Sequence, residues 1–186
     1  MVGLIQQLLF DFVAKNWGDD AVKEVRKRAG VAEDVKYRMD QAYSDDEWQR
    51  LVGAAVGLSG LDPVEAETAF ARFCGEELHK RMSGFFQGCT CAHDLLRRQP
   101  TIHNTMSASV RDAATRDSIA AKFRLVDSES STVIHYKSPN RHCVLYRGLA
   151  HWVAEHFGEK IEIQEPRCMK RGDDECEIHV KYLGKA

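Results

Sequence analysis

Cys143, Cys168 and Cys176 are spread over separate segments of the chain, with an apolar-periodic stretch and an alternating stretch between the first two. A helix followed by a strand at those places can bring Cys143 back to the turn that carries the other two. Thiolates converging in that way suit a tetrahedral zinc ion. Glu165, His142 or the Cys89/Cys91 pair are candidates for the fourth ligand. The Cys-x7-Cys spacing is looser than a Cys-x2-Cys chelate, so three buried thiols acting as small hydrophobes, or a redox-reactive cluster, stay open. His103, on an apolar-periodic segment with Ile102 and Met106, is a second candidate. A neutral imidazole facing an apolar cavity can be the axial ligand of a cofactor iron, although a lone histidine on a helix is more often an ordinary surface or core residue. Tyr136 and Ser138 are two apart and share one face of an extended strand. With Asn140 or Arg141 just beyond, they form a donor cluster for carboxylates or phosphates, or else a plain Ser-Pro-Asn turn. Cys89-Thr90-Cys91 is a poor chelate for a closed site.

Helices come first. Leu4, Ile5, Leu8, Leu9, Phe12 and Val13 make a helical stripe up to Trp17. Gly18 and Asp19 separate it from a second helix that reaches about Arg28, before Gly30. Ser44-Asp45-Asp46-Glu47 predicts a capped start for a helix through Val56. Asp62-Pro63 predicts another, running to Lys80. A helix from about His93 carries Leu95, Leu96, Ile102 and His103, with a break or kink at Pro100. The helical half is expected to end near Arg111. Lys122–Val126 and Thr132–Tyr136 alternate and predict a hairpin. A helix from about Val144 to Phe157 follows, and then a second hairpin from Ile161–Ile163 and Glu177–Tyr182. Helices followed by an antiparallel sheet with one inserted helix give an α+β fold. The whole of 1–186 reads as one domain, with an N-terminal helical subdomain over about 1–60 and the remainder over about 61–186.

Composition narrows the class. With 186 residues, 44% hydrophobic and 29% charged, the chain can bury a core without staples. A formal charge of -2 gives no electrostatic footprint for nucleic acid or an anionic membrane. No apolar run reaches the length of a membrane span, and Met1-Val2-Gly3-Leu4-Ile5 lacks the flank and cleavage site of a secretory signal. A cytoplasmic location with reduced cysteines is therefore expected. No Gly-x-Ser-x-Gly elbow, His-Glu-x-x-His or phosphate loop is present, and no acid–base pair is evident, so the expectation is a sensor or binding module and no enzyme.

Taken in order, these residues resemble the heme nitric oxide/oxygen binding (H-NOX) family. The likeness covers the whole chain. Met1-Val2-Gly3-Leu4-Ile5 is similar to the family's Met-x-Gly-x-Ile opening, and Ala42-Tyr43-Ser44-Asp45-Asp46 recurs at the expected point. Leu95-Leu96 followed by Ile102-His103 resembles the segment that bears the proximal iron ligand. Tyr136-Lys137-Ser138-Pro139-Asn140 falls on the Tyr-x-Ser-x-Arg motif that grips heme propionates. Arg147-Gly148-Leu149, His156-Phe157-Gly158 and the three cysteines resemble the bacterial branch with a zinc-binding subdomain. The last stretch is also similar to vinyl-reductase-type small-molecule-binding domains.

The resemblance implies heme b on His103, with Tyr136, Ser138 and Arg141 or Asn140 at the propionates. It places Leu9, Cys74 and Leu145 on the distal side and Ile5 at the cofactor, and leaves Tyr146, about 100° round the helix, outside the pocket. Zinc on Cys143, Cys168 and Cys176 is a second implied cofactor, and Glu165 stands where zinc-bearing relatives carry histidine. Asn140 occupies the motif's arginine position, and Arg116 falls where counting from His103 places a family proline credited with distorting the porphyrin. Relatives that hold oxygen use a distal tyrosine, and Leu145 in that position favours nitric oxide. The expectation is a stand-alone nitric oxide sensor in which the gas competes for the iron–His103 bond, signalling to a histidine kinase or a cyclic-dinucleotide enzyme. A heme-independent thiol/zinc redox switch on the same fold is the alternative.

Overall fold

Capping residues and left-handed glycines set the boundaries of the helical half. The computed structural model describes residues 2–108 and 110–186. Helix α1 (Leu4–Trp17) gives way at Gly18 to α2 (Asp19–Ala29), which Gly30 ends at φ 69°, a conformation that side chains with a Cβ disfavour. The Ser44 hydroxyl accepts from the Asp46 N–H to start α3 (Asp45–Ser59). The Asp62 carboxylate accepts from Val64 and Glu65 to start α4 (Pro63–Arg81), with Pro63 in the first turn. The segment expected to be one helix around Pro100 is two: α5 (Ala92–Leu96) and α6 (Gln99–Ser107). Proline has no N–H to lose in a first turn, so Pro100 begins α6.

The helical half does not end near Arg111. A further helix, α7 (Ala113–Ala120), starts at Asp112, whose carboxylate accepts from the Thr115 N–H. Its sequence AATRDSIA buries only Ile119, so no apolar stripe announces it. Arg116 lies on this helix and donates to the carbonyls of Val110 and Arg111. The residues of this segment that face the interior cavity described below are Ile119 and Lys122. Arg116, the position counted from His103, does not line the cavity, and no proline lies between Pro100 and Pro139.

The second half is one antiparallel sheet in the order β1-β2-β4-β3. Strands β1 (Phe123–Asp127) and β2 (Ser131–Tyr136) form a hairpin with Phe123 opposite Tyr136. Helix α8 (Cys143–His156) then leads to β3 (Glu159–Arg167) and β4 (Cys176–Lys185). β4 lies between β2 and β3, which places Tyr136 opposite Cys176. β3 carries two register shifts, at Lys160/Ile161 and between Gln164 and Arg167, with Pro166 inside the second. Among the described residues no helix is long and apolar enough to cross a membrane.

Two apolar cores result. The first joins Leu8, Phe12, Trp48, Leu51, Phe70 and Cys74, and reaches Leu145 of α8. The second joins Leu95, Leu96, Ile134, Tyr136, Tyr146 and Ile178 with the three cysteines. Phe70, Ala71, Phe73 and Cys74 of α4 join α1 and α3 in the first core.

Helices α4 and α8 meet through two glycine notches. Gly148 of α8 admits Ala71, and Gly75 of α4 admits the Trp152 indole. A methyl group at Gly75 would sit 2.3 Å from the indole carbon Cδ2. Moving the ring aside would also cost its stack on His156, with centroids 5.1 Å apart. Gly75→Ala is therefore expected to destabilise the protein by about 2–3 kcal/mol through overpacking, despite alanine's better helix propensity. The urea midpoint of unfolding measures it, and an unchanged midpoint would mean the two helices can part freely.

Candidate functional site

Between the two cores lies a cavity of ≈ 220 Å³. One wall comes from the first core and its neighbours: Leu4, Ile5, Leu8, Leu78, Leu145 and Leu149. The other comes from Leu95, Leu96, Ile102, Phe123, Tyr136 and Tyr146. His103 stands on this second wall, its ring centroid 4.6 Å from that of Phe123. Burial, and secondarily the positive charge of Lys122, lower the His103 pKa from an ordinary 6.5 to about 4. The imidazole is thus neutral at physiological pH, the form that ligates a metal.

That shift makes a pH prediction with a definite sign. The folded pKa lies below the unfolded one, so the unfolded chain binds the proton more readily. The stability that comes from keeping His103 neutral is complete above pH 6.5 and is lost as the pH falls towards about 4. The loss is on the order of 3 kcal/mol for the ligand-free protein. His103→Leu should flatten this acid limb in denaturation curves recorded between pH 7 and 4.

Of the residues expected at the cofactor or on its distal side, Ile5 and Leu145 face the cavity. Leu9 and Cys74 are instead packed within the first core, and Leu8 and Gly75 face the space in their place. One helical step carries each expected side chain past the opening. Tyr146, expected outside the pocket, lines it. It does so from the same wall as His103, 5.7 Å from Phe123, and its buried hydroxyl has no hydrogen-bond partner among the described residues. The first-core wall is aliphatic at Leu4, Ile5, Leu8, Leu78, Leu145 and Leu149, and His142, packed on Trp48, also lines the cavity.

The motif on β2 is locally closed on itself. Tyr136 is buried, its hydroxyl accepting from the His142 N–H at 3.2 Å, and burial pushes its pKa up to about 12. The buried Ser138 hydroxyl accepts from the Asn140 N–H at 3.3 Å and does not line the cavity. Asn140 is buried and donates its side-chain amide to Asp45 at 2.8 Å. Arg141 turns the other way: it is exposed, does not line the cavity and holds φ 52°, a conformation strained for a residue with a Cβ. The turn after Pro139 therefore does not bring Arg141 inward.

Beside the cavity, Glu67 of α4 joins three elements. Its Oε1 accepts from the Leu145 N–H at 3.2 Å and lies 3.2 Å from His142 Nδ1. Its Oε2 accepts from Lys170 at 2.6 Å. The Trp48 indole N–H donates to His142 Nε2, which leaves Nδ1 to carry the proton shared with Glu67. No local motif marks Trp48, Glu67 and His142 as a group in the sequence. Only the packing of α3, α4 and α8 brings them together.

The cysteines converge as their spacing suggests. Ligand atoms of Cys143, Cys168, Cys176 and Glu165 all lie within 4.8 Å of one another. All six cysteines are free. The Cys143 and Cys168 sulfurs are 3.6 Å apart, well beyond a disulfide. The Met169 N–H points at the Cys176 sulfur at 3.3 Å. Glu165 is nearly inaccessible, and its Oε1 is buried without a partner, while Arg147 approaches Oε2 at 3.5 Å. Burial and the neighbouring Cys176 and Glu165 push the Cys143 thiol up. An ion at the centre would supply both the missing partner for Oε1 and the positive charge that holds thiolates. Cys89 and Cys91 lie outside this cluster, and so does His142.

The overall fold is shared with solved H-NOX structures. An H-NOX protein from S. oneidensis in the Fe(II) state matches with TM-score 0.83 and 20% identity, over 100% of this chain and 98% of that one. The same organism's protein in the Fe(II)NO state gives 0.82 and 21%, over 99% and 100%. An oxygen-binding H-NOX domain related to soluble guanylate cyclases gives 0.79 and 18%, over 100% and 96%. No curated protein matches the chain. A family model described as haem-NO-binding matches residues 2–165, ending just before Cys168. With that match over most of its length, the chain belongs to the haem-NO-binding, or H-NOX, family, whose members bind heme and serve as gas sensors.

Proposed function

We propose that this chain is a heme-based nitric oxide sensor that passes its state to a partner protein. The observation that carries the reading is the asymmetry of the cavity: a desolvated, neutral His103 among the second-core residues and a cluster of aliphatic side chains from the first core. The cavity and the imidazole fit heme b, which when bound supplies an iron able to take a diatomic gas. His103 would ligate the iron. Ile5, Leu8, Leu78 and Leu145 would exclude water from the first-core side. Bound oxygen is polarised and gains from a hydrogen-bond donor, and none of these four offers one. Tyr146 has a hydroxyl, but on the His103 wall. Nitric oxide does not depend on such a donor, so the wall selects for it. A histidine kinase or a cyclic-dinucleotide enzyme is the proposed partner, by family resemblance.

The test is the absorption spectrum of protein from heme-sufficient cells, reduced without oxygen and then given each gas. A Soret band that shifts with nitric oxide and is unmoved by oxygen supports the reading. A stable oxygen complex would overturn the selectivity, and no Soret band after heme addition would overturn the cofactor.

A second reading is favoured by the unpartnered Glu165 Oε1 amid three buried cysteines. In it, zinc held by Cys143, Cys168, Cys176 and Glu165 makes a redox-sensitive site that works without heme, since oxidised thiolates release the metal. Zinc analysis before and after peroxide separates the two: retained zinc and unmodified thiols would sink the switch.

A further inference from the structure

The cavity holds a buried cation in a place the family motif does not specify. Lys122 precedes β1 and is only 7% exposed, unusual for lysine unless its charge is met. Among the described lining residues it is the one lysine or arginine. Its carbonyl accepts from the Lys137 N–H at 3.1 Å, which pins it beside the strand that bears Tyr136 and Ser138. Its positive charge acts on both Asp45 and His103. Burial lowers its pKa from the usual lysine range, and Asp45 works against that shift. Asp45 is also the carboxylate to which Asn140, at the motif's arginine position, donates its amide. Asn140 thus contacts the acid whose charge also acts on Lys122, while Arg141 faces solvent.

We propose that Lys122 is the cation that receives a carboxylate of the bound tetrapyrrole, replacing the arginine that the motif lacks at residue 140. This rests on the heme reading. Physically, one buried ammonium lining the cavity, in the field of Asp45, is placed to share its counter-charge when a second carboxylate arrives. An arginine at 141 cannot do so from the outer side of a left-handed turn. The consequence is selectivity: the cavity prefers porphyrins with free carboxylates to equally apolar ones without them.

Metal-free protoporphyrin IX and its dimethyl ester are the probes, because neither engages His103 as an iron ligand. Binding is followed by porphyrin fluorescence on the full chain, with far-UV circular dichroism as the check on folding. Lys122→Met is expected to weaken the free acid by about 30-fold or more, the lower bound for truncating one partner of a buried charge pair. It should leave the ester within about twofold of wild type, and Lys122→Arg should restore most of the free-acid binding. Arg141→Ala should change neither probe. Equal free-acid binding by Lys122→Met and wild type, equal loss of both probes in folded protein, or loss on Arg141→Ala instead would each overturn the assignment of Lys122. Wild-type protein that binds neither porphyrin nor heme would overturn the heme reading and Lys122's role with it. Wild type that binds both porphyrins while only the Lys122 assignment fails would leave that reading standing.

Discussion

His103→Ala is expected to leave the fold intact and to abolish five-coordinate heme. Alanine is the better helix former in α6, and the substitution removes a side chain that resists protonation only at the expense of acid stability. The ligand-free variant should therefore withstand acid better than wild type. Iron, in contrast, loses its axial nitrogen. Partners that merely orient a ligating histidine are worth roughly 10–100-fold in metal affinity, so loss of the ligand itself should exceed about 100-fold. Imidazole added to the solution should bring back a five-coordinate spectrum, since the space vacated opens into the cavity. A normal spectrum in His103→Ala without imidazole would assign the iron to another residue.

Cys176→Ser should empty the cysteine site and lower stability by about 3–5 kcal/mol, the range for leaving buried charge uncompensated. Cys176 is fully buried between Cys143, Cys168 and the Met169 N–H. Serine keeps the volume but is a poor thiolate substitute, and Glu165 then stays buried with only Arg147 at 3.5 Å and Arg171 at 3.9 Å, both on Oε2. Metal analysis and thermal unfolding with and without a chelator measure the effect. Cys89→Ser, outside the cluster, is the matched control and should retain the metal. A full equivalent of zinc and an unchanged midpoint in Cys176→Ser would dismiss the site.

Much of the scaffold can be read directly from the chain. The Ser44 and Asp62 caps and Gly30 act through backbone groups within a few residues, so local sequence fixes the boundaries of α2, α3 and α4. Helix α7 escaped because its stripe is a single residue, Ile119, and its only strong signal is the Asp112 cap. The convergence of Cys143 with Cys168 and Cys176 follows from a helix-strand-turn order, and it was legible. Glu67, His142 and Lys122 were illegible for the opposite reason. Each acts across a contact between segments dozens of residues apart, and no spacing rule reaches that far. Asn140 shows a middle case. The offset from the motif was visible, but only the turn geometry reveals that Asn140 takes the inner position and Arg141 the outer one.

The irregular course of β3 bears on how this molecule meets its neighbours. β3 is an edge strand, and an unpaired edge invites another chain to extend the sheet. Two register shifts twist it, and Pro166 has no N–H to offer an incoming strand. Its outward residues include Lys160, Glu162 and Gln164, all exposed. A continuous ladder along this edge is therefore blocked by the backbone itself, which guards against sheet-to-sheet association when the protein is concentrated. Recognition on this side has to be written in side chains, where single substitutions can retune it without touching the fold.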